Sequence, residues 1–288
     1  MPAYPSREPA PAVHRKAHRR RQIHRMTALV GFLPAAGRGS RYPGGPAIKE
    51  LHPIPLIGSA PRDSRQEHPV SEFALEAIGR TGAEGCAIVI SPGKLEIPRV
   101  LGTEPRHGMA LSYFVQPEPL GVPNAVREIA AWLGGRDVVL ALPDTIHFPM
   151  EALAELHRRR VGGGSDVMLG VFPVSTPEAL GPVEIAADGS VLRVHDKPRD
   201  PPVRNSWGLA SWSARFTAFC AEWDESVARR NPGERALGHA FETARQAGLR
   251  VGAHFFADGK FGDIGTPEGL AEALAILRNH GRAVNGGD

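Results

Sequence analysis

The segment Leu33 to Arg41, LPAAGRGSR, is the first stretch of this chain where residue type and spacing could do chemistry. Small residues at Ala35, Ala36, Gly37 and Gly39 let backbone N–H groups approach an anion closely, and Arg41 and Lys49 could neutralise a polyphosphate. Two common phosphate loops are excluded. Tyr42 stands where the dinucleotide fingerprint needs its third glycine, and no Gly-Lys-Ser/Thr is present for a Walker loop. On the glycines alone an ordinary Gly-rich turn serves as well; the two cations shift the reading towards phosphate. Asp144 follows the apolar run Val138 to Leu142, just past a strand's carboxyl end, where open α/β sheets bind ligands. Read by itself it could equally be a solvated turn acid.

The elements that must position these residues alternate short apolar runs with helical periodicity, the pattern of a Rossmann-like α/β fold: an open, mixed but mostly parallel sheet flanked by helices. Strands are expected at 28–33, 86–90, 111–115, 138–142, 167–172 and 251–255. Helices are expected at 70–80, 150–159, 215–227 and 234–247. Val122, Val126, Ile129 and Leu133 fall on one helical face, and that helix should stop at Gly134 and Gly135. Segments 182–186 and 191–195 flank Asp188-Gly189, a pair favoured in type I′ turns, and predict a small antiparallel insertion. The last helix should open with Thr266 as N-cap and Pro267 at its first position, presenting Leu270, Leu274 and Leu277 on one face.

Composition narrows the classes. The chain has 288 residues with 42% hydrophobic content, enough for a sizeable core, and no apolar run approaches the length that spans a bilayer. Its two cysteines, Cys86 and Cys220, exclude a disulfide scaffold and a four-cysteine zinc site, and fit a cytoplasmic setting. No His-Glu-x-x-His pair offers a zinc helix. The formal charge of +3 is unevenly spread: seven basic residues against Glu8 give residues 1–25 a charge of +6, leaving −3 for the rest. Those 25 residues lack an apolar signal core and read as a disordered basic tail, with Met26 as an alternative start and residues 26–288 as one domain. The basic run could touch nucleic acid, though such runs are more often solvated.

At this point the sequence resembles a family, the sugar-1-phosphate nucleotidyltransferases, or nucleotide-sugar pyrophosphorylases. Leu33 to Arg41 resembles their opening L-x-A-G-x-G-T-R, with Ser40 for Thr. Lys49-Glu50-Leu51 resembles their lysine motif, with Ile48 where proline is usual. Gln116-Pro117-Glu118-Pro119-Leu120-Gly121 resembles Q-x-x-P-x-G, and Leu142-Pro143-Asp144 the L-P-D of bacterial UTP-glucose-1-phosphate uridylyltransferases. Gly181-Pro182-Val183-Glu184 is similar to Y-G-x-V-E, Asp196-Lys197-Pro198 to E-K-P, and 261–267 to W-x-D-I-G-T-P. The order is kept along nearly all of residues 28 to 275. Pro123 and Trp207 depart from the pattern, Trp207 standing where a small residue usually borders the sugar.

The resemblance implies a nucleotide-diphospho-sugar transferase fold and transfer of a nucleotidyl group, from UTP or dTTP, to a sugar 1-phosphate. It implies catalytic roles for Arg41 and Lys49 and nucleotide binding by Ala35, Ala36, Gly37, Gly39, Gln116 and Gly121. Gly181, Glu184 and Lys197 would hold the sugar phosphate, and Asp144 with Asp263 would bind Mg²⁺, a cation that suits hard carboxylates and keeps phosphate oxygens in its shell. The Gln116 amide, with both a donor and an acceptor, matches the imide edge of uracil or thymine. The expected partners are a nucleoside triphosphate and a sugar 1-phosphate, with no membrane; assembly into a homo-oligomer is left open. A non-catalytic nucleotide-sugar sensor on the same fold is the alternative, and retention of Arg41, Lys49, Asp144 and Asp263 argues against it. An NAD-dependent oxidoreductase fails on the missing glycine.

Overall fold

The computed structural model of the chain describes residues 28–37, 48–55, 67–230 and 233–285. The tail over 1–25 and, within the glycine loop, Gly39 and Arg41 lie outside the described residues.

The amino-terminal half carries β1 (Leu29–Pro34), β2 (Pro53–Pro55), β3 (Glu67–Pro69), α1 (Val70–Gly79), β4 (Gly85–Ile90), α2 (Glu96–Leu101) and β5 (Ala110–Val115). Next come α3 (Val122–Glu128), α4 (Ala130–Leu133), β6 (Asp137–Ala141), β7 (Thr145–Phe148), α5 (Ala152–Gly163) and β8 (Val167–Pro173). The remainder is β9 (Val183–Ile185), β10 (Val191–Val194), β11 (Asn205–Trp212), α6 (Ala214–Ala228), α7 (Leu237–Gln246), β12 (Val251–Phe255), β13 (Lys260–Asp263) and α8 (Pro267–Asn285).

A seven-stranded sheet runs in the order β12-β8-β11-β6-β1-β4-β5. Its pairings are parallel except at β11, which is antiparallel to both neighbours. The expected open, mostly parallel sheet is what forms. Its central strands read as unbroken apolar runs because both faces are covered. In β1, Val30 and Phe32 enter one core and Leu29 and Leu33 the other; in β6, Val138 and Leu140 divide in the same way from Val139 and Ala141. Helices α3, α4, α6 and α7 cover the first face, and α1 and α5 the second. Among the described residues no helix is long and apolar enough to cross a membrane.

Three local departures from the sequence reading have physical causes. The helix expected over 122–133 is interrupted at Ile129 (φ −105°, ψ 8°). Its i→i−4 bonds persist on both sides, so Val126, Ile129 and Leu133 keep one buried face, and the left-handed Gly134 (φ 55°) ends it as expected. The insertion is present as β9 paired with β10, but its turn is not type I′: Gly189 alone has positive φ, at 84°, and Ala186 N–H donates to Ser190 C=O across a three-residue loop. That is the type I turn closed by a left-handed glycine. Strand β11 carries no alternation to announce it. Its polar residues are paired inside the fold: the Asn205 amide spans Val183 N–H and C=O (2.9 and 3.0 Å), and Ser211 Oγ meets Arg160 Nε at 3.1 Å. A register slip between Trp207 and Leu209 leaves Gly208 as a bulge, a device that re-aims neighbouring side chains.

The last helix begins as its sequence indicates, with Gly269 N–H donating to Thr266 Oγ1 at 3.1 Å. Its first turn closes tightly on the strand before it: a Cβ built on Gly269 would lie 1.9 Å from the backbone oxygen of Asp263. Gly→Ala in a helix ordinarily stabilises by about 1 kcal/mol. Here the sign should reverse, because backbone would have to move to admit the methyl. Gly269→Ala is expected to destabilise by about 1–3 kcal/mol in urea unfolding; unchanged or raised stability would show that the turn is looser than this packing.

Candidate active site

The strand order turns back on itself at β1, which has β4 on one side and β6 on the other, so the loops after β1 and β6 diverge and leave a crevice at their carboxyl ends. Chain leaving β1 supplies Ala35, Ala36 and Gly37, and chain leaving β6 supplies Asp144. Ala35 and Ala36 are buried in the two cores, and Ala35 N–H already donates to Val89 C=O at 2.7 Å. This corrects one expectation: the Ala35 N–H is already engaged and is not available to a phosphate. Gly37 faces open space and borders both recesses described below.

Lys49 sits on a 3-10 turn, Lys49–Leu51, whose neighbouring side chains point opposite ways. Glu50 is buried and accepts a hydrogen bond from the equally buried Lys94 at 2.6 Å, which pins the turn from beneath. Burial raises the Glu50 pKa, and the Lys94 charge opposes without cancelling that shift. Lys49 points into the crevice and pairs with Asp144. Burial disfavours its charge, but the Asp144 carboxylate above all, with Glu50 and Asp263 adding to it, outweighs burial and holds the Lys49 pKa above the ordinary lysine value. The ammonium is therefore charged throughout the physiological range.

Asp263 reaches the same place by an unanticipated strand pair. β13 runs antiparallel to β7 with Asp263 opposite Thr145, and Ile264 N–H donates to Asp144 C=O at 3.0 Å. Asp263 Oδ1 accepts from Gly265 N–H at 2.7 Å, which orients the carboxylate. Among the described residues no group of three or more His, Cys, Asp or Glu side chains could cage a metal. Two neighbouring carboxylates beside an open recess are nonetheless a donor set that fits Mg²⁺, which completes its octahedron with water and phosphate oxygens.

On one side of the lysine lies a recess of about 140 Å³ bordered by Gln116, Pro119, Gly121, Val122 and the backbone strap around Arg235. Gln116 is almost fully buried, and its Nε2 donates to Gly121 C=O (3.2 Å) and Asn124 Oδ1 (2.6 Å). Gly121 has φ 97°, and a Cβ there would fall 2.0 Å from the Arg235 carbonyl oxygen, so glycine is required twice over. Pro123 is accommodated without penalty in the first turn of α3, where its missing N–H has no intrahelical partner to lose.

On the other side a recess of about 330 Å³ is bordered by Gly181, Lys197, Trp207 and Asp263. Lys197 holds a left-handed backbone (φ 45°), an uncommon conformation for any residue that carries a Cβ and one that collects at functional sites. Trp207 packs edge-on against Phe241 (5.4 Å) and its Nε1 would meet a Cβ on Gly181 at 2.4 Å. Glu184 departs from expectation: its carboxylate is taken by His195 Nε2 at 2.7 Å, and it does not border this recess. A larger recess of about 880 Å³ lies at the amino ends of β8 and β12 and contains none of these residues. Sequence reasoning passed over Lys94, Asn124, Asp224 and Arg235: Asp224 stands between Glu222 and Glu225 and Arg235 follows Glu234, so nothing local marks them as buried.

The chain matches the nucleotidyl transferase family over residues 62–280. It is 26% identical over 252 residues to the low-salt glycan biosynthesis nucleotidyltransferase Agl11 of Haloferax volcanii, covering 86% of this chain and 66% of that protein. It is 30% identical over 177 residues to a glucose-1-phosphate thymidylyltransferase of Streptomyces antibioticus, covering 61% of this chain and 46% of that one. The chain thus spans between under half and about two thirds of these relatives' lengths. A Bacillus anthracis chain solved in complex with a sucrose shares the fold with TM-score 0.73 at 20% identity, over 87% of this chain and 96% of that one. The sheet with its single antiparallel strand and the match over residues 62–280 agree: the chain belongs to the nucleotidyl transferase family.

Proposed function

We propose that this chain transfers a nucleotidyl group from UTP or dTTP to a sugar 1-phosphate, releasing pyrophosphate, with Mg²⁺ held by Asp144 and Asp263. The observation that carries this reading is Lys49 paired with Asp144, with Asp263 alongside, where two recesses meet that share Gly37, Val122 and Leu237 in their walls. A base in the smaller recess and a sugar in the larger would put the reacting phosphates beside that lysine. The 1-phosphate oxygen attacks the α-phosphorus in line, the new P–O bond forms as the α–β bridging bond breaks, and pyrophosphate departs with the electron pair. No side chain has to become covalently attached or take a proton from a nucleophile already ionised.

In this scheme the chain works by position and charge. Lys49, prevented by its carboxylate neighbours from losing its proton, offers a fixed positive charge to the phosphate that gains negative charge; Arg41 is assigned to the leaving pyrophosphate. Lys197 holds the sugar phosphate, and Gln116 with Gly121 the base. Bound Mg²⁺ supplies charge neutralisation on the triphosphate oxygens. The domain over residues 26–288 is the unit proposed to carry the activity.

The reading is tested by measuring pyrophosphate release over a grid of nucleoside triphosphates and sugar 1-phosphates with Mg²⁺. Asp144→Asn and Asp263→Asn, each nearly isosteric, are expected to lower kcat by at least about 10²-fold. Ordinary turnover in either would remove the metal assignment, and no release in any combination by the unaltered chain would favour a sensor. Trp207→Ala is expected to widen the range of sugar 1-phosphates accepted, seen as smaller kcat/KM differences across the panel; an unaltered ranking would show that the indole does not border the sugar.

A further inference from the structure

A glutamine amide has no intrinsic preference for showing its oxygen or its nitrogen to a ligand; the groups behind it decide. Behind Gln116 the decision is made by a chain of buried polar groups. Both Nε2 hydrogens are committed, to Gly121 C=O and to Asn124 Oδ1, and no described residue donates to Oε1. Gln116 borders the smaller recess, and Oε1 is the end of its amide not turned to Gly121 and Asn124. Asn124 has the same two-fold ambiguity. It is resolved by Asp224, a carboxylate that can only accept, towards which Asn124 turns Nδ2 at 3.5 Å, leaving Oδ1 for Gln116. Asp224 lies on α6, fully buried and far away in sequence. Its charge is met by Arg235 Nε and by Arg127 Nη1 at 3.3 Å. Arg235 is itself anchored, Nη1 to Gly233 C=O at 2.8 Å and N–H to Leu120 C=O at 3.0 Å.

A buried carboxylate is costly to keep, and apolar packing would serve stability as well. What an apolar residue could not do is impose a direction on a row of amides. We propose that Asp224, acting through Asn124, is the positioning residue that makes Gln116 an obligate acceptor, so that the pocket selects a pyrimidine carrying a hydrogen on N3, uracil or thymine, against cytosine. The inference rests on Gln116 being the base-reading residue. Uracil and thymine donate N3–H to Oε1. Cytosine brings a lone pair at N3 against the Oε1 lone pairs, leaving both groups unpaired. The expected preference for UTP over CTP is about 10-fold to 10²-fold, the consequence of one buried polar pair left unmatched.

The test compares dissociation constants for UTP, dTTP and CTP on the full chain, which do not depend on turnover. Asp224→Asn keeps shape and an oxygen for Arg235 but can present N–H₂ to Asn124; Asn124 then turns its own N–H₂ towards Gln116 Nε2, donor against donor, and the longer bond to Gly121 C=O (3.2 Å) is the one hold left, so Gln116 shows its N–H₂ to the base in part of the molecules. The UTP-to-CTP preference should fall at least about 10-fold, with CTP binding tightened. Asn124→Ala changes no charge and removes the shorter of the two bonds that hold Gln116 Nε2, leaving only the longer one to Gly121 C=O (3.2 Å), so it should reduce the preference, and it decides the matter should Asp224→Asn fail to fold. If both folded variants weaken all three nucleotides equally, with the ratio intact, the residues are merely structural and the proposal is overturned. Gln116→Ala separates the two layers: a preference that survives it, or no measurable binding of any of the three nucleotides to the unaltered chain, overturns the reading of the pocket itself. A preference lost in Gln116→Ala but kept in the other two variants overturns only the relay.

Discussion

Two carboxylates from distant parts of the chain are held next to each other at the open end of the sheet, and the arrangement around them can be understood as what makes that tolerable. Asp144 is buried and Asp263 half-buried, and two like charges gathered around one lysine repel. The pairing of β7 with β13 supplies the geometric closure, with a backbone hydrogen bond from Ile264 to Asp144 and a side-chain bond from Gly265 to Asp263. Lys49 supplies the compensating charge. Neither is sufficient alone: a strand pair without the cation would hold two like charges together uncompensated, and a lysine on a loose turn would find Asp144 only part of the time. The Glu50–Lys94 pair under the turn removes that second weakness.

The same division of labour recurs on the base side. A group facing the crevice is backed by buried polar and ionic groups: Lys49 by Glu50 and Lys94, Gln116 by Asn124, Asp224 and Arg235. Buried ion pairs add little net stability because desolvation consumes most of their attraction, and losing one partner costs about 3–5 kcal/mol. Their value here is directional. A lysine turn and an amide are both adaptable by nature, and each is held in one orientation by charge that has nowhere else to go.

Most of the scaffold was legible in the sequence because burial on both faces leaves plain apolar runs, as in β1, β4, β6, β8 and β12, and because α8 carries its own start signal in Thr266-Pro267. What escaped was structure whose signal is not local. β11 contains Asn205, Ser206, Gly208 and Ser211, and is a strand only because distant residues satisfy those side chains and Gly208 bulges out of register. The short β7 and β13 exist through one another. The position of the hairpin at Asp188-Gly189 was readable, but its turn type depends on a loop one residue longer than the dipeptide suggests. For the site, residue types at Lys49, Asp144, Gln116, Gly121, Gly181, Lys197 and Asp263 led to one crevice. Ala35 and Glu184 show the limit of that reasoning: a motif specifies which atoms are present, and only the fold shows that an N–H or a carboxylate is already engaged.

Helix α8 starts four residues after Asp263, and its first turn touches the Asp263 backbone with no space between them. At 1.5 Å per residue its 19 residues make a rod about 28 Å long. Along that rod Leu270, Ala273, Leu274 and Leu277 pack with Ile54, Val70, Phe73 and Ile146, an apolar cluster separate from the two that flank the large sheet. The backbone of Asp263 is thus fastened to a third core, and the placing of one acidic residue in the crevice depends on apolar packing contributed by segments far from it in sequence.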